Sequence, residues 1–344
     1  MHSICATQVS RLYRNEIMKN INIGVIGVGY LGRFHAQKYA ALDGVNLVGV
    51  ADVNIEQAQQ VASECGCKSF SDYQDLLPAV DAVSIVVPTS SHHKVAGVCL
   101  DMGIDVLLEK PMTVTLEEAD DLINKAESKQ LILQIGHLER FNPAVLAMEP
   151  FLTTPVFIES NRISTFKKRG VDVDVVLDLM IHDIDIIMNI IQSPIKTIHT
   201  VGAPVATAST DIANARLIFE NGATANVTAS RIARTNVRKM RIFQPGSYIN
   251  VDFGNKKVMT IQLSEELEES GMPKQVVELR TFADGDALLC EIKSFVHHVR
   301  ERTKPAVAGF EGRRALAVAL QVMDQIKEHQ KLDLFKNFLS PKRA

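Results

Sequence analysis

Residues 21 to 32 read Ile-Asn-Ile-Gly-Val-Ile-Gly-Val-Gly-Tyr-Leu-Gly, and this stretch decides the fold. Its apolar start predicts a strand, and the amphipathic residues 33 to 42 predict a helix. Each glycine between them has a mechanical reason: Gly27 permits the turn, Gly29 lets the backbone approach a pyrophosphate, and Gly32 lets the helix pack on the strand. The free N–H groups of the new helix then face the phosphates. The stretch predicts a dinucleotide site, although glycines also mark ordinary turns.

Asp52 indicates which dinucleotide binds. It ends a second apolar run, 45 to 51, and lies twenty residues after Gly32, where an acidic residue binds the adenosine ribose hydroxyls. A carboxylate there repels the extra phosphate of NADP by roughly 4 kcal/mol per unit charge, and Val53 and Asn54 supply no cation to offset it. NAD is therefore favoured over NADP, unless a more distant Arg or Lys compensates.

Length and charge bound the class of protein. At 344 residues the chain is longer than one hydrophobic core usually supports, and its net charge of −3 comes with no long basic run. These features predict two domains and argue against nucleic-acid binding. No apolar stretch is long enough to span a bilayer, so we expect no membrane partner. Residues 1–17 precede Met18, which itself resembles a natural start, and we treat them as an N-terminal extension.

The cysteines indicate the redox compartment. Their number is odd and they lack paired metal-ligand spacing, which favours reduced thiols over a zinc site. Reduced thiols fit a cytoplasmic protein. The five are Cys5, Cys65, Cys67, Cys99 and Cys290.

Strands and helices alternate up to about residue 135. The run 81 to 88 is continuously apolar and ends at a proline, as a central parallel strand buried on both faces does. Further strands are expected at 105 to 109 and 131 to 135. The alternation predicts a doubly wound parallel sheet with ligands beyond the carboxyl ends of its strands. The residues at or just past those ends are Pro88, Thr89, His92, Glu109, Lys110 and His137.

Beyond Pro143 the chain changes to short strands separated by Gly or Pro turns. This composition predicts an open, mostly antiparallel sheet whose face is covered by helices and by a partner subunit. We place an NAD-binding Rossmann domain at 18–142 and a substrate-binding and oligomerisation domain at 143–335. The expected strands are 157–165, 196–201, 213–219, 223–231, 238–243 and 248–253, and the expected helices are 287–302 and 311–328.

Lys110 is the first candidate for chemistry. It lies between Glu109 and Pro111, and the proline restricts it to extended geometry at the ligand edge of the sheet. An ammonium there orients a substrate hydroxyl or stabilises charge developing on it. The structural alternative is a surface lysine with a buried aliphatic stem.

The second candidate is a helix with three polar residues, Asp178, His182 and Asp185, among Val, Leu, Ile and Met. Their i, i+4 and i+7 spacing predicts one helix face. Buried carboxylates need partners, so either Asp178 locks a structural His182 or His182 is a general base whose pKa is tuned by acidic neighbours. The same side chains suit metal ligation, which a nicotinamide hydride acceptor does not require; we expect no metal.

Other basic residues are candidates for binding. Arg140, at the domain junction beside His137, holds a substrate phosphate or clamps the two domains. His92 begins a helix, where it caps the helix or contacts the cofactor. The run Lys167-Lys168-Arg169 is a solvated surface or, beside an active site, contacts a diphosphate.

These motifs together resemble the glucose-fructose oxidoreductase and inositol dehydrogenase family, Gfo/Idh/MocA. The resemblance runs from Ile21 to about Gln325 and is carried by five motifs in order. They are Gly27-x-Gly29-x-x-Gly32, Pro88 with His92, Glu109-Lys110-Pro111, Arg140-Phe141-Asn142-Pro143, and the Asp178/His182 pair.

The resemblance implies a Rossmann domain followed by an α/β domain with an open, mostly antiparallel sheet that mediates homodimers or homotetramers. It implies that Lys110, Asp178 and His182 form the catalytic group, and that the Lys110-Pro111 bond is cis. Within the family, the stretches 136–141 and 178–187 are most similar to bacterial enzymes that oxidise the 3-hydroxyl of UDP-N-acetylglucosamine or of a related uronic acid.

We therefore expect an NAD-dependent dehydrogenase acting on a secondary hydroxyl of a sugar or nucleotide sugar. His182 removes the hydroxyl proton, Lys110 orients the oxygen and Asp178 fixes the imidazole. A polyol or free-sugar dehydrogenase and a non-catalytic NAD-binding regulator are the alternatives. The cofactor residues are Gly27, Gly29, Tyr30, Leu31, Gly32, Asp52, Pro88, Thr89, His92, Glu109 and Lys110. The substrate residues are Lys110, His137, Arg140, Arg162, Lys168, Asp178 and His182.

Overall fold

A computed structural model of the protein describes residues 20–166 and 173–332. The N-terminal sheet has six parallel strands in the order β3-β2-β1-β4-β5-β6. This is the order of a dinucleotide-binding doubly wound sheet, in which the order of strand addition reverses between β1 and β4. The predicted Rossmann fold is confirmed. Its strands are β1 (Ile21–Ile26), β2 (Val45–Ala51), β3 (Lys68–Phe70), β4 (Ala82–Ile85), β5 (Asp105–Glu109) and β6 (Leu133–Gly136).

Four helices cover this sheet, and their boundaries follow from capping residues. Asn54 caps the second helix by accepting from two backbone N–H groups, and Thr115 forms a reciprocal capping box with Glu118. The helices are α1 (Tyr30–Ala40), α2 (Ile55–Cys65), α3 (His92–Asp101) and α4 (Leu116–Ser128). The first begins three residues before the predicted start, because the third glycine lies inside the helix and not before it.

The second sheet has eight strands in the order β14-β13-β12-β11-β7-β10-β9-β8. All neighbours are antiparallel except β7 and β10, so the predicted open, mostly antiparallel sheet is confirmed. The strands are β7 (Phe157–Thr165), β8 (Ile195–Ala203), β9 (Ile212–Phe219), β10 (Thr224–Ala233), β11 (Val237–Gln244), β12 (Ser247–Asp252), β13 (Lys257–Leu267) and β14 (Pro273–Thr281).

Two of these strands, β13 and β14, were not predicted. Their outer halves are exposed on both faces, and charged residues interrupt the alternation that marks a half-buried strand. They form a long hairpin at one edge of the sheet, held by backbone pairing, and only the start of β13 reaches the core, through Val258.

Four more helices follow the Rossmann strands in the chain. They are α5 (Pro143–Met148), α6 (Ile181–Ile190), α7 (Ala287–Glu301) and α8 (Gly309–Gln330). Although α7 follows the second sheet in sequence, Ile292 and Phe295 on it pack into the core formed by β1 and α1. Ala319 and Val322 on α8 pack into the core of the second sheet, whereas Leu316 packs into the core of the Rossmann sheet around β4 and β5. The C-terminal helices therefore hold the Rossmann domain against the second sheet.

None of the helices in the described parts of the chain has the length and apolar character needed to cross a membrane.

Candidate functional site

The glycine turn after β1 has the geometry that a dinucleotide requires. Gly27 has a φ of +84°, which side-chain-bearing residues rarely adopt, and a Cβ on Gly32 would lie 1.9 Å from the Gly27 carbonyl oxygen. By contrast, a Cβ on Gly29 would meet nothing within 4 Å. The first and third glycines are therefore required by the fold, whereas the second leaves open space at the start of α1. No side chain caps this helix, so its first N–H groups remain available for a phosphate.

Asp52 lies beside this turn. Its carboxylate accepts hydrogen bonds from the backbone N–H groups of Val28, at 2.8 Å, and Asn54, at 2.9 Å. These bonds fix the end of β2 against the glycine turn, where the sequence places the ribose contact. Tyr30 is 69% exposed and lines a groove along α1 together with Gly29, Arg33, Phe34, Gln37 and Gln57.

The structure brings Lys110 and Asp178 together. Lys110 Nζ donates to the Asp178 carbonyl oxygen at 2.7 Å and lies 3.6 Å from Asp178 Oδ1. Burial lowers the pKa of the Lys110 ammonium, and the Asp178 and Glu109 carboxylates oppose that shift. The peptide bond between Lys110 and Pro111 is cis, as the family resemblance implies. The ammonium is thus held at the carboxyl end of β5, facing the helix from the second domain.

His182 enters the same region from α6, directly after a π-helical turn at Val176–Met180. Burial lowers the pKa of its imidazole well below the usual value, and the positive charges of Lys110 and Arg162 lower it further. The tuning therefore has the opposite sign to what acidic neighbours would give. His182 Nδ1 has no hydrogen-bond partner, so Asp178 does not fix the imidazole as the sequence suggested. Instead, Asp178 contacts Lys110.

Asp178 and Asp185, which the sequence places on one helix face with His182, have different surroundings in the structure. Asp178 lies inside the π turn at Val176–Met180, where the residue spacing departs from the α-helical period that the prediction assumed. The Asp178 side chain is 44% exposed, whereas Asp185 is 4% exposed and lies 3.5 Å from Arg140 Nε. Arg140 is itself buried and also faces the Ala306 carbonyl oxygen. Of its two predicted roles, this geometry supports the clamp between domains.

Arg162 was predicted to bind substrate, and its surroundings contradict this. Its guanidinium is 3% exposed and makes a two-pronged ion pair with Asp183, at 2.9 and 3.1 Å, and a third bond to Glu139 at 2.8 Å. These carboxylates raise the pKa of Arg162 against the effect of burial. Because all three guanidinium nitrogens of Arg162 are bonded to carboxylates, the arginine anchors α6 to β7. The sequence analysis did not identify Asp183 and Glu139 as partners of Arg162. The one available signal was the charge of Asp183, next to His182 in an apolar helix.

The two other histidines predicted to line the site, His92 and His137, are buried. His92 Nδ1 lies 2.9 Å from the Pro111 carbonyl oxygen and Nε2 lies 2.9 Å from that of Val87, so the ring joins the ends of β4 and β5 and does not cap α3. His137 has both ring nitrogens without a partner, and burial lowers its pKa. Contacts of either histidine with a ligand stay predictions.

Several predictions fall outside the described residues. These are the N-terminal extension 1–17, Cys5 and the basic run Lys167-Lys168-Arg169, which includes the predicted substrate residue Lys168. Leu31, Pro88 and Thr89 lie where the sequence placed them, at the start of α1 and after β4. Among the described residues, the cluster with metal-ligand geometry is His35, Glu109 and Glu291, not the group on α6.

These features define a class: an α/β protein that binds NAD at the carboxyl edge of a Rossmann sheet, beside a lysine and a neutral histidine. Residues 21–137 match the family described as oxidoreductases with an NAD-binding Rossmann fold, and residues 157–244 match the GFO/IDH/MocA C-terminal domain. The chain belongs to the Gfo/Idh/MocA family of NAD-dependent oxidoreductases.

Known relatives cover nearly the whole chain. UDP-N-acetylglucosamine 3-dehydrogenase from Acidithiobacillus ferrooxidans is 42% identical over 306 residues, which cover 89% of this chain and 97% of that protein. A solved structure of this enzyme covers 92% of this chain and all of its own, with a TM-score of 0.86 and 40% identity. Myo-inositol 2-dehydrogenase from Thermotoga maritima is 25% identical over 91% of this chain and 98% of its own.

Proposed function

We propose that the protein oxidises the 3-hydroxyl of a nucleotide sugar such as UDP-N-acetylglucosamine, with NAD as the hydride acceptor. The observation that carries this is the 42% identity, over nearly the full length of both chains, to an enzyme named for that reaction. The grouping of Lys110, Asp178 and His182 at the ligand edge of the sheet supports it.

The glycine turn fits NAD, because the open space at Gly29 and the uncapped N-terminus of α1 suit a pyrophosphate. Asp52 is placed to accept from the ribose hydroxyls, which favours NAD over NADP. When bound, NAD supplies the acceptor for the hydride that leaves the sugar carbon. The sugar ring then lies between the ligand edge of the sheet and α6.

Each catalytic side chain has one task in this proposal. His182 takes the hydroxyl proton, and its lowered pKa keeps the imidazole neutral and ready to act as a base near pH 7. Lys110 donates a hydrogen bond to the same hydroxyl oxygen and stabilises the negative charge that develops there. Asp178 keeps the buried Lys110 ammonium charged and in place.

Mixing the protein with NAD and candidate substrates, and following absorbance of reduced nicotinamide, tests the proposal. We expect turnover with UDP-N-acetylglucosamine and none with free N-acetylglucosamine. Equal activity with the free sugar would contradict a nucleotide-sugar substrate. Turnover of myo-inositol alone would favour a polyol dehydrogenase, the second candidate, which the 25% identical relative supports.

Replacing His182 by Ala tests the assigned base. We expect kcat to fall by about 10²- to 10⁴-fold with unchanged affinity for NAD, because the imidazole acts on the substrate proton and not on the cofactor. His199→Ala, at an exposed position on β8, is the matched control and should leave both values unchanged. Parallel losses of turnover and NAD binding would contradict the assignment.

We also propose that the protein is a cytoplasmic homodimer or homotetramer. Exposed apolar residues at the free edge of the second sheet support this, including Val277 at 58% and Leu279 at 64% exposure on β14. A second copy of the chain would bury them.

A further inference from the structure

A cluster of buried polar residues lies beside the catalytic lysine and has no part in the proposed chemistry. His35 and Tyr39 come from α1, Ser84 from β4, Glu109 from β5 and Glu291 from α7. Glu109 is 8% exposed and the other four are fully buried. Buried polar groups need hydrogen-bond partners, so the protonation of this cluster is constrained by its geometry.

A chain of close contacts links four of these residues. Tyr39 Oη lies 2.8 Å from Ser84 Oγ, which lies 3.3 Å from His35 Nδ1. His35 Nε2 lies 3.3 Å from Glu109 Oε1. If Tyr39 donates to Ser84 and Ser84 donates to His35 Nδ1, the imidazole proton lies on Nε2, which is close to Glu109 Oε1 but forms no aligned hydrogen bond with it.

Neither carboxyl oxygen of Glu291 has a hydrogen-bond partner, and the same is true of His35 Nε2 beside it. A ligand atom of Glu291, one of His35 and one of Glu109 all lie within 4.8 Å of one another. A second ionised carboxylate at this fully buried position would be costly, because none of the described cations forms a salt bridge with Glu291. Burial raises the pKa of Glu291 well above its usual value, and the Glu109 carboxylate raises it further.

We propose that Glu291 is a protonated carboxylic acid that shares its proton with Glu109 and thereby positions Lys110. Glu109 Oε2 accepts from the Lys110 backbone N–H at 3.3 Å, so a fixed Glu109 fixes the start of the Lys110-Pro111 segment. Gln134 Nε2 donates to the Glu291 carbonyl oxygen at 3.2 Å and anchors this part of α7 to β6. Glu291 is thus a positioning residue. This inference rests on the proposed role of Lys110.

Infrared spectroscopy tests the proton directly. We expect the carbonyl band of a protonated carboxylic acid at neutral pH in the wild type, and its loss in Glu291→Gln. Glu301→Gln, an exposed position on the same helix, should keep the band. A spectrum unchanged by Glu291→Gln would overturn the proposal. So would one equivalent of metal ion in the purified protein that is absent from Glu291→Gln, because a cation would then hold the carboxylates together.

The pH dependence of unfolding gives a second readout that is independent of turnover. A carboxyl group whose folded pKa is raised stabilises the fold fully below its unfolded pKa of about 4.3, and this contribution is lost as the pH rises toward the folded pKa. Glutamine does not titrate. The groups facing Glu291 are His35 and Tyr39 from α1 and Glu109 from β5. Between about pH 5 and pH 8, Glu291→Gln should therefore lose less unfolding free energy than the wild type. Parallel curves would overturn the proposal.

Turnover tests the positioning role. We expect Glu291→Leu, which removes the donor, to lower kcat about tenfold, the value of one hydrogen bond, with KM for the sugar unchanged. Glu291→Gln keeps a neutral donor and should restore kcat. Equal impairment of both variants, or of neither, would overturn the role. If the wild type turns over no nucleotide sugar, the proposed function fails, while the infrared and unfolding results still decide the protonation of Glu291.

Discussion

At the scale of single residues, the site depends on burial more than on sequence neighbours. His182 is flanked by carboxylates in the sequence, yet the space around its ring holds the cations of Lys110 and Arg162. Burial and like charge both favour the neutral imidazole. A sequence shows which residue types are adjacent on the chain, but the charges that determine a pKa come from β5 and β7, far away in the sequence.

The pH profile of kcat/KM follows from these shifts. Turnover requires neutral His182, whose pKa is lowered below about 6.5, so activity should persist below that pH and fall only as the imidazole becomes protonated. It also requires the Lys110 ammonium, whose pKa is lowered, so activity should decline at alkaline pH before an ordinary lysine titrates. Because Asp178 opposes that lowering, Asp178→Asn should move the alkaline limb to lower pH. An unmoved limb would mean that another group is responsible for it.

The glycines of the first turn give a matched pair of variants. Gly32→Ala places a methyl group 1.9 Å from the Gly27 carbonyl oxygen, so we expect destabilisation by about 1–3 kcal/mol, measured by urea unfolding. Gly29→Ala places the methyl group in open space and should leave the stability unchanged while weakening NAD binding, measured by calorimetry. Tight NAD binding by Gly29→Ala would show that the pyrophosphate lies elsewhere.

At the scale of elements, α6 is the helix that carries the site into the second domain. Asp178, in the π turn before α6, contacts Lys110. In the following α-helical turns, Asp183 pairs with Arg162 and Asp185 lies near Arg140. Three acidic residues that look equivalent in the sequence thus have three different cationic partners. The two buried carboxylates, Asp183 and Asp185, orient the helix, because each needs its own cationic partner.

The buried ion pair between Arg162 on β7 and Asp183 on α6 should contribute strongly to the stability of the protein. Arg162→Met leaves Asp183 and Glu139 without their cation, and we expect a loss of about 3–5 kcal/mol in unfolding free energy. Arg241→Met, which removes the exposed ion pair with Glu159 in the same sheet, should cost at most about 1 kcal/mol. Similar losses for the two variants would mean that Arg162 is better solvated than its burial indicates.

At the scale of the whole molecule, the two sheets are joined by helices that return from the C-terminus. Because α7 packs on the Rossmann core and α8 contacts the cores of both sheets, these helices hold the elements around the site in place. Glu291 lies near the end of β5 because α7, which carries it, packs back onto the Rossmann domain. On the far side, the β13–β14 hairpin leaves apolar side chains exposed, which an assembly of several copies would cover.

The proposed assembly is tested at that hairpin. Replacing both Val277 and Leu279 by Lys should lower the mass measured by light scattering toward that of one chain, because charges directed at a partner oppose association. Val201→Lys, at a 54% exposed position on β8 at the opposite edge of the sheet, is the control. An unchanged mass in the double variant would exclude this edge as the interface.

The sequence by itself determined the Rossmann sheet, its NAD turn and the approximate strands of the second sheet, because these depend on local periodicity and on glycines whose conformations neighbouring residues impose. Only the tertiary structure decided that Asp178 serves Lys110 and not His182, that Arg162 is enclosed by carboxylates, and that Glu291 lies against Glu109. The physical reason is that solvation and charge pairing act through space. A buried group is stabilised or destabilised by whatever the fold places beside it, however distant along the chain.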